Sequence, residues 1–160
     1  MEKICYLDYD GVLHDENVLV HPKHGIYMGS SDCSLFQWSP ILEKLLEPHP
    51  DVKIVLSTSW VRVRSFAYAR EQLSPSLQQR VIGATYHHRL MAGSDFSEIS
   101  RGVQIEADVF RRTPQSWFAI DDDDGGWPER CRDKLVRTDG SLGISDPQIQ
   151  SAIRGVLERL

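Results

Sequence analysis

Three short apolar runs, each ending abruptly in polar side chains, dominate this chain. Ile4 to Leu7 runs into Asp8, Ile54 to Leu56 into Ser57 and Thr58, and Trp117 to Ile120 into Asp121 and Asp122. Apolar runs of this length, bounded by turn-forming residues, read as buried strands. Helical patterns separate them. That alternation predicts βαβ units, hence a single α/β, Rossmann-like domain over 1–160 with a parallel sheet flanked by helices on both faces. All strand carboxyl ends of a parallel sheet share one edge, so the three polar ends are expected to meet in one crevice.

Further strands are expected at Val81 to Thr85 and Leu135 to Arg137. Helices are expected over Trp38 to Leu46, with Ser39 as cap and Pro40 in the first position, over Val61 to Leu73, over Val103 to Arg112 and over Pro147 to Leu160. His87 to Ser100 reads as a polar loop. Residues 14–37 lack helical periodicity and are long for a connection, which suggests a small functional flap or hairpin after the first strand.

The first strand end carries two acids, Asp8 and Asp10, followed by Gly11, which lets the chain turn. Side chains two apart on a strand point the same way, so the pair would converge on the crevice. Close carboxylates repel. A divalent cation would relieve that repulsion, and oxygen-only ligands favour Mg²⁺. Asp-x-Asp-Gly on its own is also an ordinary turn; its place directly behind a strand gives it weight here.

Bulk composition sets limits on function. The 160 residues suit one core, and a net charge of −5 gives no global basic footprint for nucleic acid. Arg62, Arg64 and Arg70 nevertheless form a local basic cluster, so a nucleic-acid substrate stays open on local grounds. Cys5, Cys33 and Cys131 are odd in number and far apart, which argues against a disulfide framework or a zinc site. Nothing approaches a membrane span or a signal peptide, so a cytoplasmic protein without membrane contact is expected.

Order and spacing of these strand ends resemble the haloacid dehalogenase-like (HAD) superfamily, whose members are mostly phosphatases. Asp8-Tyr-Asp-Gly-Val12 fits the family's D-x-D-x-[TV] motif, Ile54-Val-Leu-Ser-Thr58 its second motif, and Phe118-Ala-Ile-Asp-Asp122 its paired acids. The resemblance spans nearly the whole chain. It is strongest to small bacterial HAD-domain proteins without a large cap, which carry L-D-x-D-G-V-L, a Ser-Thr-Ser-Trp segment and a late D-D-D.

The resemblance implies a Mg²⁺-dependent phosphatase acting on a phosphorylated substrate. Asp8 would be the nucleophile, and Asp10 would protonate the leaving oxygen and then activate water. Mg²⁺ would be held by Asp8, the backbone carbonyl of Asp10, and Asp121 or Asp122. Either Ser57 or Thr58 would bond the transferring phosphoryl group. Thr58 is favoured by its place two before Trp60, and alternation would turn Ser57 toward the core or an adjoining layer. Ser57, Ser59 and Gly11 are taken as substrate-lining. The family's usual upstream Lys is missing, since no Lys stands between Lys53 and Lys134. Arg101 is the best replacement, with bidentate geometry for phosphate. His14, His21, His24, His87 and His88 read as loop residues, Trp38 and Trp60 as packing aromatics, and Trp127 as partly exposed.

Two other classes compete. A metal-dependent nuclease also gathers carboxylates at strand ends, but leaves the Ser/Thr motif and Arg101 unexplained. A non-catalytic phosphate- or partner-binding module on the same scaffold needs no nucleophile at Asp8.

Overall fold

Four consecutive residues, Ile4 to Leu7, buried on both faces make the first strand the centre of the molecule. The computed structural model describes all of residues 1–160. Its elements begin β1 (Lys3–Leu7), β2 (Val18–His21), β3 (Gly25–Met28), α1 (Ser39–Leu46), β4 (Val52–Leu56), α2 (Trp60–Val63), α3 (Phe66–Glu71) and α4 (Pro75–Gln78). They continue β5 (Val81–Ala84), α5 (Gly93–Glu98), α6 (Arg101–Arg112), β6 (Ser116–Asp121), β7 (Leu135–Arg137) and α7 (Pro147–Glu158), with single 3₁₀ segments at Glu129–Lys134 and Gly143–Ser145.

The main sheet runs β5-β4-β1-β6-β7, and every pairing in it is parallel. Alternation along β1 feeds two cores. Cys5 and Leu7 join the larger one with Leu42 of α1, Ile54, Leu56, Phe118, Ile120 and Ile153 of α7. Ile4 and Tyr6 face the other way, with Val55, Ile105 of α6, Ala119 and Trp127. Helices therefore cover both faces, as the alternating pattern predicts. Full burial of each such aliphatic side chain contributes about 1.5–3 kcal/mol.

Register does the positioning. Leu7 lies opposite Leu56 on one side and Ile120 on the other. The residues that follow, Asp8, Ser57 and Asp121, therefore emerge at one level of the sheet edge. Backbone bonds continue the ladder there: Asp8 N–H donates to Ile120 O (3.2 Å) and Ser57 N–H to Leu7 O (2.8 Å). Strands are added on one side of β1 and then on the other, so the topological switch lies between β1 and β6, where open sheets bind ligands.

Between β1 and α1 the chain forms only a two-stranded antiparallel hairpin, β2 with β3. That is the expected small flap. Several helical details differ from expectation. Trp38, not Ser39, holds the N-cap position of α1; Ser39 sits inside the helix, and its buried Oγ has no partner. The helix expected over Val61 to Leu73 is broken at Arg64 and Ser65, because extended Ser65 caps α3 by accepting from Tyr68 N–H (3.0 Å). The short helix α5 interrupts the segment read as a polar loop, and α4 adds a turn of helix before β5. Trp127 is buried in the second core rather than exposed.

Helix α6 is pinned at both ends. Near its C-terminus the fully buried Asp108 accepts from Tyr6 Oη (2.9 Å), Arg111 Nη2 (2.8 Å) and Arg112 Nε (2.7 Å), so its charge is compensated. At its N-terminus Gly102 N–H donates to Gly125 O (3.0 Å). A Cβ on Gly102 would lie 2.5 Å from Trp127 Cα and 2.7 Å from Gly126 O, both backbone atoms. Gly102→Ala must therefore push the start of α6 away from the loop after β6. Urea unfolding should show a loss of about 1–3 kcal/mol, the usual cost of overpacking. The exposed Val103→Ala should change little, and equal effects of the two would contradict this packing.

Candidate active site

The crevice at the switch point collects side chains from four elements. Asp8 follows β1, Ser57 follows β4, Asp121 ends β6, and Arg101 opens α6. Arg101 Nη1 lies 3.4 Å from Asp8 Oδ1 and 3.2 Å from Asp121 Oδ2, and donates to Ser57 Oγ at 3.3 Å. One guanidinium thus touches the ends of all three central strands. Asp121 Oδ1 also accepts from Asp123 N–H (3.0 Å), which fixes the carboxylate plane.

Carboxylate oxygens of Asp8, Asp121 and Asp122 all lie within 4.8 Å of one another. Burial pushes the Asp8 carboxyl well above its ordinary range, and the Asp121 charge adds to this, against the opposing pull of Arg101. Burial likewise raises Asp121, while Arg101 restrains it. Asp122 is raised to about 7 by burial and by the charge of Asp8. For Arg101 burial works against the charge, but Asp8 and Asp121 outweigh it and hold the guanidinium firmly protonated. Three carboxylates against one guanidinium leave excess negative charge, and an oxygen-only donor set of this size fits Mg²⁺.

Asp10 departs from the expected convergence. Strand β1 ends at Leu7, so the alternation of strand side chains does not extend to Asp10. It is not part of the acidic trio; its Oδ1 accepts from Trp60 Nε1 (2.9 Å) and pairs with His14 Nε2 (2.8 Å). His14, read from sequence as a loop residue, is fully buried. Its Nδ1 accepts from Phe36 N–H (3.1 Å), at the point where the chain returns from the hairpin. Phe36 meets the His14 ring edge-on and Trp60 at a tilt, and Tyr9 packs edge-on against both of those rings. The sequence signal for His14 was slight: a histidine four residues beyond an acid in a tight turn.

Gly11 adopts φ 76°, and a Cβ there would fall 2.3 Å from Asp122 Oδ2. It serves the turn and lets Asp122 close over the backbone; its carbonyl accepts from Thr138 Oγ1 (2.7 Å). Of the two places that alternation leaves open for Ser57, the core or an adjoining layer, its hydroxyl takes the second, meeting Arg101 at the start of α6. Thr58 Oγ1 accepts from Trp60 N–H (3.3 Å) at the start of α2. Ser57, Thr58, Ser59, Arg62, Arg101 and Asp123 all line one cleft of about 290 Å³. Asp124 is exposed and pairs with Arg137 (3.0 Å) outside the crevice.

Raised carboxyls bind more protons in the folded than in the unfolded chain, between the ordinary carboxylate range and about pH 7. They therefore favour folding at the acid end of that window and do so less as pH rises through it. In thermal melts of metal-free protein at about pH 5 and about pH 8, Asp122→Asn should gain relative stability at the higher pH. Added Mg²⁺ should raise the Tm of the unaltered protein more at the higher pH. A Mg²⁺ effect equal at both values would contradict the electrostatic reading.

A family model described as the HAD domain in Swiss Army Knife RNA repair proteins matches residues 4–149. No curated protein matches, and no solved structure does.

Proposed function

From the premise that this chain belongs to the family of HAD domains in Swiss Army Knife RNA repair proteins, we propose that it is a Mg²⁺-dependent phosphatase working through an aspartyl-phosphate on Asp8. The observation that carries this reading is the divergence of the two aspartates. Asp8 lies buried beside Arg101, Asp121 and Asp122. Asp10 stands outside the acidic trio, with one oxygen engaged by His14 and Trp60. In this reading Asp8 attacks and Asp10 handles protons.

In the first step an Asp8 oxygen attacks phosphorus. The bond to the leaving oxygen breaks, and that oxygen takes a proton from Asp10. In the second, water attacks the aspartyl-phosphate, Asp10 accepts its proton, and the Asp8 carboxylate is released with phosphate. Arg101 supplies fixed positive charge to the phosphoryl oxygens, and Ser57 or Thr58 donates a hydroxyl hydrogen bond to them. Held by Asp8, Asp121 and Asp122, with the Asp10 carbonyl, Mg²⁺ would supply charge neutralisation for the phosphoryl group.

Only a short hairpin stands where a cap domain would close the crevice, and an open site admits large phosphomonoesters. The family's RNA-repair context favours a phosphorylated strand end as substrate. The free Cys5, Cys33 and Cys131 suit a reducing compartment such as the cytoplasm. A nuclease reading is less well supported, because it gives no role to the hydroxyls after β4 or to Arg101 beside Ser57. A non-catalytic module leaves the Asp8 and Asp10 arrangement without a purpose.

The test uses p-nitrophenyl phosphate and oligonucleotides bearing 5′- or 3′-phosphate, with and without Mg²⁺. Phosphate release should require the metal and fall by a factor of about 10³ or more in Asp8→Asn. Strand cleavage that survives Asp8→Asn would overturn the proposal in favour of a nuclease.

A further inference from the structure

We infer that His14 and Trp60 are positioning residues that assign the two oxygens of Asp10 different tasks, and that the return from the hairpin at Phe36 sets this arrangement. The inference rests on the phosphatase reading, in which Asp10 is the acid and base, and goes beyond it by naming what aims that group.

The chain of bonds has a defined direction. Phe36 N–H can only donate, so His14 Nδ1 is an acceptor and the ring proton lies on Nε2. His14 Nε2–H therefore donates to Asp10 Oδ1 (2.8 Å), and Trp60 Nε1–H donates to the same oxygen (2.9 Å). An sp² oxygen has two lone pairs, and both are taken. The proton that Asp10 gives to a leaving oxygen must then sit on Oδ2, which has no protein partner. In the return step Oδ2 also receives the proton from water. Oδ1 is anchored and Oδ2 is active.

The anchor is rigid for visible reasons. His14 is fully buried and Trp60 nearly so, both packed against Phe36 and Trp60 also against Tyr9. Phe36 holds a left-handed backbone, φ 58°, which is unusual for a bulky residue and aims its N–H at His14. Local unfavourable geometry is thus retained where it directs a functional group. The hairpin that begins after Asp10 and ends before Phe36 is closed across this same bond.

A group that delivers a proton to the leaving oxygen matters most when that oxygen is strongly basic. The discriminating measurement is kcat/KM for p-nitrophenyl phosphate and for phenyl phosphate, leaving groups of nearly the same shape and different basicity. This parameter reports the first half-reaction, in which the leaving group departs. Trp60→Phe keeps an aromatic ring and removes the N–H. It should lower kcat/KM for phenyl phosphate by roughly ten- to a hundredfold, and for p-nitrophenyl phosphate by only about threefold or less. His14→Leu should show the same selective loss, and His14→Gln, which keeps an N–H near Nε2, should recover part of it. Uniform losses on both substrates, or none, in all three variants would overturn the positioning role while leaving the phosphatase reading intact. No turnover of either substrate by the unaltered protein would overturn the phosphatase reading itself, and the assignment of Asp10 with it.

Discussion

The Arg101 guanidinium, half-buried against Asp8, Asp121 and Ser57, is the contact on which the crevice depends. Three parallel strands bring two carboxylates and a hydroxyl to one level, and nothing in the strands compensates their charge. Compensation arrives from the other layer, on the first residue of α6. That residue reaches the crevice because Gly102 lets the helix start lie directly on the backbone of the loop after β6. A missing side chain at Gly102 and a long one at Arg101 are therefore two parts of one device. Burying a lone charge costs several kcal/mol, so the cluster is coherent only when its members are present together.

That electrostatic arrangement also separates Asp8 from Asp10. Asp8 stays within the sheet's register and shares its field with Asp121 and Asp122. Asp10 lies past the last ladder residue, where Gly11 at φ 76° bends the chain and hydrogen bonds from His14 and Trp60 take over from strand geometry. Two identical side chains in a five-residue motif thus meet different surroundings. The difference comes from where β1 stops and not from anything in the side chains.

The strands and their polar ends were legible because buried parallel strands are continuous apolar runs, and a parallel sheet puts every such end on one edge. The resemblance carried by Asp8, Asp10, Thr58 and the paired acids agrees with the family match over residues 4–149. Arg101 was found by the absence of lysine upstream of Asp121. Other features depend on contacts distant in sequence. Ser57 meets the adjoining α6 layer, one of the two places alternation leaves open, but its partner Arg101 lies 44 positions away. His14 acquires its part only when Phe36 returns from the hairpin, 22 positions later. Trp60 was read as a packing residue, which it is, but its indole N–H has a second task that burial patterns do not reveal. The break at Ser65 is not legible in the sequence because a serine inside a helical pattern becomes a cap only once the backbone there is extended.

The division of labour between Asp8 and Asp10 is the central claim, and chemical trapping tests it most directly. Borohydride reduces an acyl phosphate on an aspartate to homoserine, which peptide mapping by mass spectrometry locates. Quenching the protein during turnover with Mg²⁺ and substrate should place homoserine at position 8 and leave Asp10 unchanged. Homoserine at position 10, or phosphate release with no modified aspartate at either position, would contradict the account.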